Sequence, residues 1–101
     1  MPLVAVKPVS QLPPGRLTVV RTQDSKFVIC NVDGTLHCVS GLCPHAGGPL
    51  EQGTLEGHTL VCPWHGWRFD CRTGLSTGEK AAKLPTFSVV VQGEMILIEV
   101  P

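Results

Sequence analysis

Glycine and proline interrupt this chain so often that long helices have little room to form. Its 101 residues include 11 glycines and 9 prolines, and both residue types are unfavourable in a helix interior. The apolar runs between them are short and rich in β-branched side chains, which favours strands. Such runs lie at residues 17–20, 27–30, 87–91 and 95–100.

Two tight turns indicate how these strands pair. Asp33-Gly34 is a strong signal for a two-residue hairpin turn, and it predicts that Val32 pairs with Thr35. A second tight turn is predicted at residues 92–94. The expected fold is all-β: a small antiparallel sandwich or barrel that forms a single domain over residues 1–101.

Residues 41–75 differ from the rest, because they are rich in Gly, Pro, Cys, His and Trp. They leave room for only two short strands, near 59–62 and 67–70, and long loops in a small domain are usually functional. The segment also contains an internal echo. Residues 43–47 and 62–66 each have Cys-Pro, then His, then Gly.

The echo supplies four candidate metal ligands, which are Cys43, His45, Cys62 and His65. Zinc accepts such a mixed thiolate and imidazole set, and so does a [2Fe–2S] cluster with two His on one iron and two Cys on the other. Zinc fingers usually pair the two cysteines in one knuckle and the two histidines in another. Each loop here mixes the two types, which favours the cluster.

Cys-Pro-His at 43–45 and Cys-Pro-Trp-His-Gly-Trp at 62–67 resemble the two cluster loops of Rieske proteins. Residues 68–74 resemble the segment that follows the second loop in Rieske ferredoxins and Rieske oxygenase domains. The resemblance implies a β base carrying a cluster-binding lobe at about residues 41–75. It also implies one Rieske-type [2Fe–2S] cluster on the four ligands and a role in electron transfer rather than catalysis.

The sequence departs from one branch of this family near the ligands. Rieske subunits of respiratory and photosynthetic cytochrome complexes link their loops by a disulfide, at positions that are Gly48 and Trp64 here. They also place two hydroxyl groups where this chain has Trp67 and Phe69. Hydroxyl hydrogen bonds to sulfur stabilise the reduced cluster. Their absence predicts a potential near the low end of the Rieske range, which is roughly −150 to +300 mV.

The resemblance further implies partners. We expect a reductase and a terminal oxygenase to dock transiently near Pro44, His45, Trp64 and His65. Two alternatives stay open: the small Rieske subunit of an assimilatory nitrite reductase-like enzyme, and a structural zinc module. For Trp64 the sequence leaves open whether the ring shields the cluster or contacts a partner.

The composition of the chain limits which other functions it is expected to have. The 8 basic and 8 acidic residues balance, so nucleic acid is not an expected partner and electrostatic steering should be modest. We find no pattern of a signal peptide or membrane span. We therefore expect a soluble, cytoplasmic monomer, and its length leaves no room for the mononuclear iron domain of Rieske oxygenases.

The remaining cysteines, Cys30, Cys38 and Cys71, are expected to be small apolar side chains. The predicted hairpin pairs Cys30 with His37, which sends Cys30 and Cys38 to opposite faces and argues against a disulfide between them. His37 and His58 have no cysteine at ligand spacing, so each is interpreted as an ordinary strand or turn residue. Trp67 and Phe69 are expected to pack beneath the cluster.

Overall fold

The computed structural model describes residues 3–22, 25–41, 49–64, 66–77 and 83–100, with ten strands among them. Helical structure in these ranges is limited to two short 3-10 turns, Val9–Gln11 and Leu50–Gln52. The strands are β1 (Leu3–Pro8), β2 (Leu17–Arg21), β3 (Lys26–Val32), β4 (Thr35–Ser40), β5 (Thr54–Glu56), β6 (Thr59–Val61), β7 (Arg68–Asp70), β8 (Thr86–Phe87), β9 (Val89–Gln92) and β10 (Met95–Glu99).

The strands form three antiparallel sheets, which confirms the all-β prediction. We call them the outer sheet (β1-β10-β9), the central sheet (β2-β3-β4-β8) and the lobe sheet (β5-β6-β7). The lobe sheet lies within the segment predicted to carry the cluster.

The β3–β4 hairpin has the predicted register, with Val32 opposite Thr35 and Cys30 opposite His37. Asp33 and Gly34 both have positive φ, 52° and 93°, as a type I′ turn requires. The amide of Gly34 donates to Asn31 Oδ1 at 2.7 Å, and Asn31 Nδ2 donates to the Leu12 carbonyl at the same distance. The buried asparagine therefore joins the turn to the segment that precedes β2.

The central sheet is buried on both faces, which places it between two cores. On one face Val28 and Cys30 pack with lobe residues such as Leu60 and Phe69. On the other face Ile29 and Cys38 pack with the outer sheet. The prediction that Cys30 and Cys38 face opposite sides is confirmed.

The run at 87–91 was predicted as one strand, and that prediction is wrong. β8 pairs with β4 in the central sheet, whereas β9 pairs with β10 in the outer sheet. Ser88 lies between them, and its carbonyl accepts a hydrogen bond from the Glu99 amide at 3.0 Å. The chain passes from one sheet to the other at this residue. β1, which pairs with β10, was not predicted. The described part of residues 41–75 contains three strands rather than the two expected, because β5 pairs with β6.

Within the part of the chain that the structure describes, no helix has the length and apolar character needed to cross a bilayer.

Candidate cluster-binding site

The lobe sheet positions the second ligand loop. β6 and β7 pair in antiparallel register, with Val61 opposite Arg68, and residues 62–67 connect them. The amide of Cys62 donates to the Trp67 carbonyl at 2.7 Å, which closes the loop at its base. The predicted short strands near 59–62 and 67–70 are confirmed as Thr59–Val61 and Arg68–Asp70.

Cys62 is the one predicted ligand among the described residues. Its side chain is buried, with 1% of the residue exposed, and the Trp64 amide approaches its Sγ at 3.4 Å. Backbone N–H groups directed at a sulfur stabilise the negative charge of a thiolate ligand. This arrangement suits a cysteine that binds a metal cluster.

The other predicted ligands, Cys43, His45 and His65, lie outside the described residues, as do Pro44 and Gly48. Among the residues that the structure does describe, no group of three His, Cys, Asp or Glu side chains is placed to hold a metal ion. The four-ligand set therefore stays a prediction.

The two ends of the first loop are described, and they meet. The Leu50 amide donates to the Gly41 carbonyl at 3.1 Å, and the Gly41 amide donates to the Lys26 carbonyl at 2.8 Å. The first loop therefore starts and ends close to the beginning of β3. Leu50 is fully buried in the core cluster that also contains Cys62 and Phe69, so the bases of both loops rest on the same core.

A glycine allows the backbone before β5 to lie very close to β6. The backbone of Gly53, just before β5, lies so near β6 that an added Cβ would come within 2.0 Å of the Val61 carbonyl oxygen. The Gly53 amide donates to the Leu50 carbonyl at 3.0 Å. Real Cβ atoms do not approach a backbone oxygen so closely, so only glycine fits here.

The aromatic residues of the second loop divide by burial. Phe69 is fully buried, and Trp67 is half-buried against the same core, with ring centroids 6.4 Å apart. Both pack in the core under this loop, while their placement relative to a cluster stays a prediction. Trp64 is 47% exposed, which favours a contact with a partner over shielding.

A charged network lies at the other end of the lobe sheet. The Arg72 guanidinium forms two hydrogen bonds to Asp70, at 3.1 and 2.9 Å, and its amide adds a third at 2.8 Å. These bonds lower the pKa of the Asp70 carboxyl to about 2. His58 Nδ1 lies 3.6 Å from Asp70 Oδ2, so His58 has a specific partner that the sequence did not indicate.

His37 lies on the face of the central sheet that meets the lobe. Burial and the nearby Arg72 charge lower the pKa of its imidazole, although Asp70 acts in the opposite direction. Cys30, Cys38 and Cys71 are all buried, as predicted. Cys30 and Cys71 pack in the same core cluster, which the sequence spacing gave no means to foresee.

Comparison with known proteins identifies the family of this chain. The family described as "Rieske [2Fe-2S] domain" matches residues 3–88. The ferredoxin component of the naphthalene 1,2-dioxygenase system of Pseudomonas aeruginosa is 27% identical over 90 residues, which are 88% of this chain and 86% of that protein. Other relatives are much longer, and this chain spans 17% or less of their length.

Two solved structures match over nearly the whole chain. The ferredoxin of carbazole 1,9a-dioxygenase from Nocardioides aromaticivorans IC177 superposes with a TM-score of 0.88 at 30% identity, covering 95% of each chain. A chain in the complex of reduced oxygenase and oxidised ferredoxin of carbazole 1,9a-dioxygenase gives 0.90 at 26% identity, covering 95% of this chain and 91% of that one. The chain therefore belongs to the Rieske [2Fe–2S] domain family, and its full-length likeness is to the ferredoxin components of dioxygenase systems.

Proposed function

We propose that this protein is a low-potential electron carrier that passes single electrons from a reductase to a terminal oxygenase. Its Rieske [2Fe–2S] cluster would be held by Cys43, His45, Cys62 and His65. The observation that carries the proposal is the pair of loop bases, closed by the Gly41–Leu50 and Cys62–Trp67 hydrogen bonds and resting on one core. Such a base would direct both ligand loops to the same side of the fold.

A Rieske cluster supplies reversible one-electron storage. The chain's part is to hold it rigidly, which keeps the structural change between oxidation states small. The buried Cys62 and the Trp64 amide serve this purpose, and Pro44 and Pro63 restrict the residues before them, which are the cysteine ligands. Histidine ligands near the surface would form the electron exit.

The oxygenase partner is supported by the related ferredoxin that was solved in complex with its oxygenase. We infer that docking uses Pro44, His45, Trp64 and His65, of which the described Trp64 is exposed. The reductase, the monomeric state and the cytoplasmic location belong to the same proposal. They are supported by the full-length likeness to small ferredoxin components.

The direct test is metal analysis and EPR on anaerobically purified protein. We expect two irons and two sulfides per chain and, after reduction, the rhombic EPR signal of a Rieske centre. Replacing any of the four ligands with Ala should abolish the signal, whereas Cys38→Ala, a buried cysteine on the opposite face, should retain it. A native protein that holds zinc and stays EPR-silent would overturn the proposal.

The midpoint potential of the cluster tests whether the protein is a low-potential member of the family. A redox titration is expected to give a midpoint below about +150 mV, in the lower part of the Rieske range, and reduced protein should be oxidised by an oxygenase of this class. A higher midpoint would contradict the low-potential assignment. Co-purification in a stable complex with a sirohaem reductase would instead support the nitrite reductase-like alternative.

A further inference from the structure

The first 22 residues carry an uneven charge, although the charges of the whole chain balance. They contain three basic residues, Lys7, Arg16 and Arg21, and no acidic residue. Two of these cations, Lys7 and Arg16, line the same surface pocket, which has a volume of about 280 Å³. The proposed electron transfer uses neither of them.

The rest of the pocket wall is partly polar and partly apolar. Gln11 contributes an amide and Thr18 a hydroxyl, and Leu12, Pro13 and Leu17 contribute the apolar part. Among the described residues that form this wall, none is acidic. The wall therefore combines two positive charges with neutral hydrogen-bonding groups.

The two cations have no counter-ion within the chain. Across the described ranges, neither Lys7 nor Arg16 takes part in an ion pair or a side-chain hydrogen bond. Glu94 approaches this region through its backbone, since its carbonyl accepts a hydrogen bond from the Val9 amide at 2.6 Å, but it forms no ion pair with Lys7. Lys7 is also half-buried on β1. Because two like charges on one pocket repel each other, an anion placed between them is favoured.

The segments that carry the two cations are held by hydrogen bonds. The Arg16 amide donates to the Pro13 carbonyl at 3.2 Å, and the Arg16 carbonyl accepts from the Asn31 amide at 2.9 Å. The buried Asn31 side chain in turn donates to the Leu12 carbonyl at 2.7 Å. Lys7 lies on β1, which pairs with β10. A ligand can therefore bind without the cost of ordering these segments.

A phosphate group matches the chemistry of this wall. A phosphate monoester carries a charge of about −1.5 to −2 at pH 7 and three strong acceptor oxygens. An arginine can bind two of these oxygens through parallel N–H groups, and a lysine adds a point charge. Gln11 and Thr18 supply further donors, and Leu17 provides a surface for an uncharged organic part. A carboxylate carries one charge and would balance only one of the two cations.

We propose that the pocket lined by Lys7 and Arg16 binds a small phosphate monoester. The volume of about 280 Å³ lies just under the usual range for small-molecule sites, which is about 300–1,000 Å³, so the ligand is a small one. Lys7 belongs to the outer sheet, and Arg16 directly precedes β2 of the central sheet. The bound phosphate would therefore connect the two sheets.

The pocket lies away from the base of the first ligand loop. Arg16 is bonded to Asn31 near the end of β3, whereas Gly41 at the base of the loop is bonded to Lys26 at the beginning of β3. We therefore expect the ligand to stabilise the folded chain without displacing this loop. The proposal is independent of the proposed electron transfer.

The test is isothermal titration calorimetry of the cluster-loaded protein with inorganic phosphate and with phenyl phosphate, at an ionic strength kept constant with chloride. We expect one site per chain, with tighter binding of phenyl phosphate because of the apolar wall. Lys7→Met and Arg16→Met should each weaken binding by at least about tenfold, since each removes a charge-assisted hydrogen bond. Lys83→Met, which removes an exposed lysine outside the pocket, should leave the affinity unchanged.

Amide chemical shifts of the wild-type protein give a second measurement that needs no variant. Phosphate should shift the amide signals of residues 7–18 and leave those of residues 89–92 unchanged. If either variant does not fold, this wild-type map decides alone. Absence of saturable binding, equal affinity in both variants and the wild type, or shifts outside residues 7–18 only would overturn the proposal. A phosphoserine tripeptide that binds about tenfold more tightly than phenyl phosphate would overturn the assignment to a small molecule.

Discussion

Individual side chains near the second loop determine the packing and the hydrogen bonding around a cluster held there. Phe69 is fully buried in the core that contains Cys62, and it stands where the high-potential branch of the family is expected to carry a hydroxyl. The ring thus supplies packing without a hydrogen-bond donor to sulfur. Residue type at this one position is expected to contribute to the potential.

Phe69→Tyr is therefore expected to raise the midpoint potential. A hydroxyl that reaches a cluster sulfur stabilises the reduced form, and a net hydrogen bond of about 1 kcal/mol corresponds to roughly 40 mV for a one-electron couple. The measurement is protein-film voltammetry. Phe87→Tyr is the matched control, because that ring packs in the other core with the outer sheet. Equal shifts in both variants would refute the expectation.

A second residue-scale prediction concerns Asp70, whose pKa is lowered from 3.8 to about 2, chiefly by the Arg72 hydrogen bonds. A carboxyl with a depressed folded-state pKa adds stability above its unfolded pKa and loses it as the pH falls through the folded value. Because Arg72 is exposed, we expect Asp70→Asn to lower the free energy of unfolding at pH 7 by only about 1 kcal/mol.

The pH dependence of urea unfolding checks this value. The difference between wild type and Asp70→Asn should be constant above about pH 5, and about half of it should be gone at pH 3. Glu56→Gln is the control, since Glu56 pairs with Arg68 while both side chains are largely exposed, and it should change the free energy by less than about 0.5 kcal/mol. A difference for Asp70→Asn that grows as the pH falls would contradict the assignment.

At the scale of elements, the sequence predicts a strand well where the strand is bounded by turn residues. The Asp33-Gly34 turn set the register of β3 and β4 correctly, because a two-residue turn leaves one way to pair its flanks. The prediction of one strand at 87–91 was wrong for the opposite reason. Its apolar side chains suit either sheet, so nothing in the run marks Ser88 as the point where the chain changes sheets.

The bases of the two ligand loops also show what the sequence can and cannot predict. The ligand pattern could be predicted because spacing along the chain carries it. The Gly41–Leu50 hydrogen bond and the close approach of Gly53 to Val61 could not be, because they join elements whose packing the sequence does not specify. The shared core position of Cys30 and Cys71 escaped prediction in the same way, since the two cysteines lie far apart along the chain.

Gly53→Ala is expected to disturb the lobe sheet. The added Cβ would lie 2.0 Å from the Val61 carbonyl oxygen, so β6 must move and the base of the first loop with it. We expect a loss of about 2–3 kcal/mol in the free energy of unfolding and a reduced iron content of the purified protein.

Gly57→Asn provides the comparison for that variant. Gly57 has a φ of 63° in open space at the β5–β6 turn, a conformation that asparagine tolerates. It should retain full iron content, with a stability change below about 1 kcal/mol. Equal iron contents in the two variants would show that the close approach at Gly53 does not matter for cluster loading.

At the scale of the whole molecule, the balance of 8 basic and 8 acidic residues determines how the protein meets its partners. Docking that relies on opposite net charges weakens steeply with ionic strength, whereas docking through apolar contacts does not. The described part of the proposed docking surface contains the half-exposed Trp64. We therefore expect association to depend on contact packing more than on steering.

The last prediction separates the effect of charge from the effect of apolar contact in one kinetic experiment. The rate at which an oxygenase oxidises the reduced protein should change less than about threefold between low and physiological salt. Trp64→Ala should lower that rate about tenfold at every salt concentration, as the loss of a central aromatic contact does. Leu75→Ala, which removes an equally exposed side chain outside the proposed surface, should leave it unchanged. A steep salt dependence with no effect of Trp64→Ala would show that charge, rather than the aromatic contact, governs the encounter.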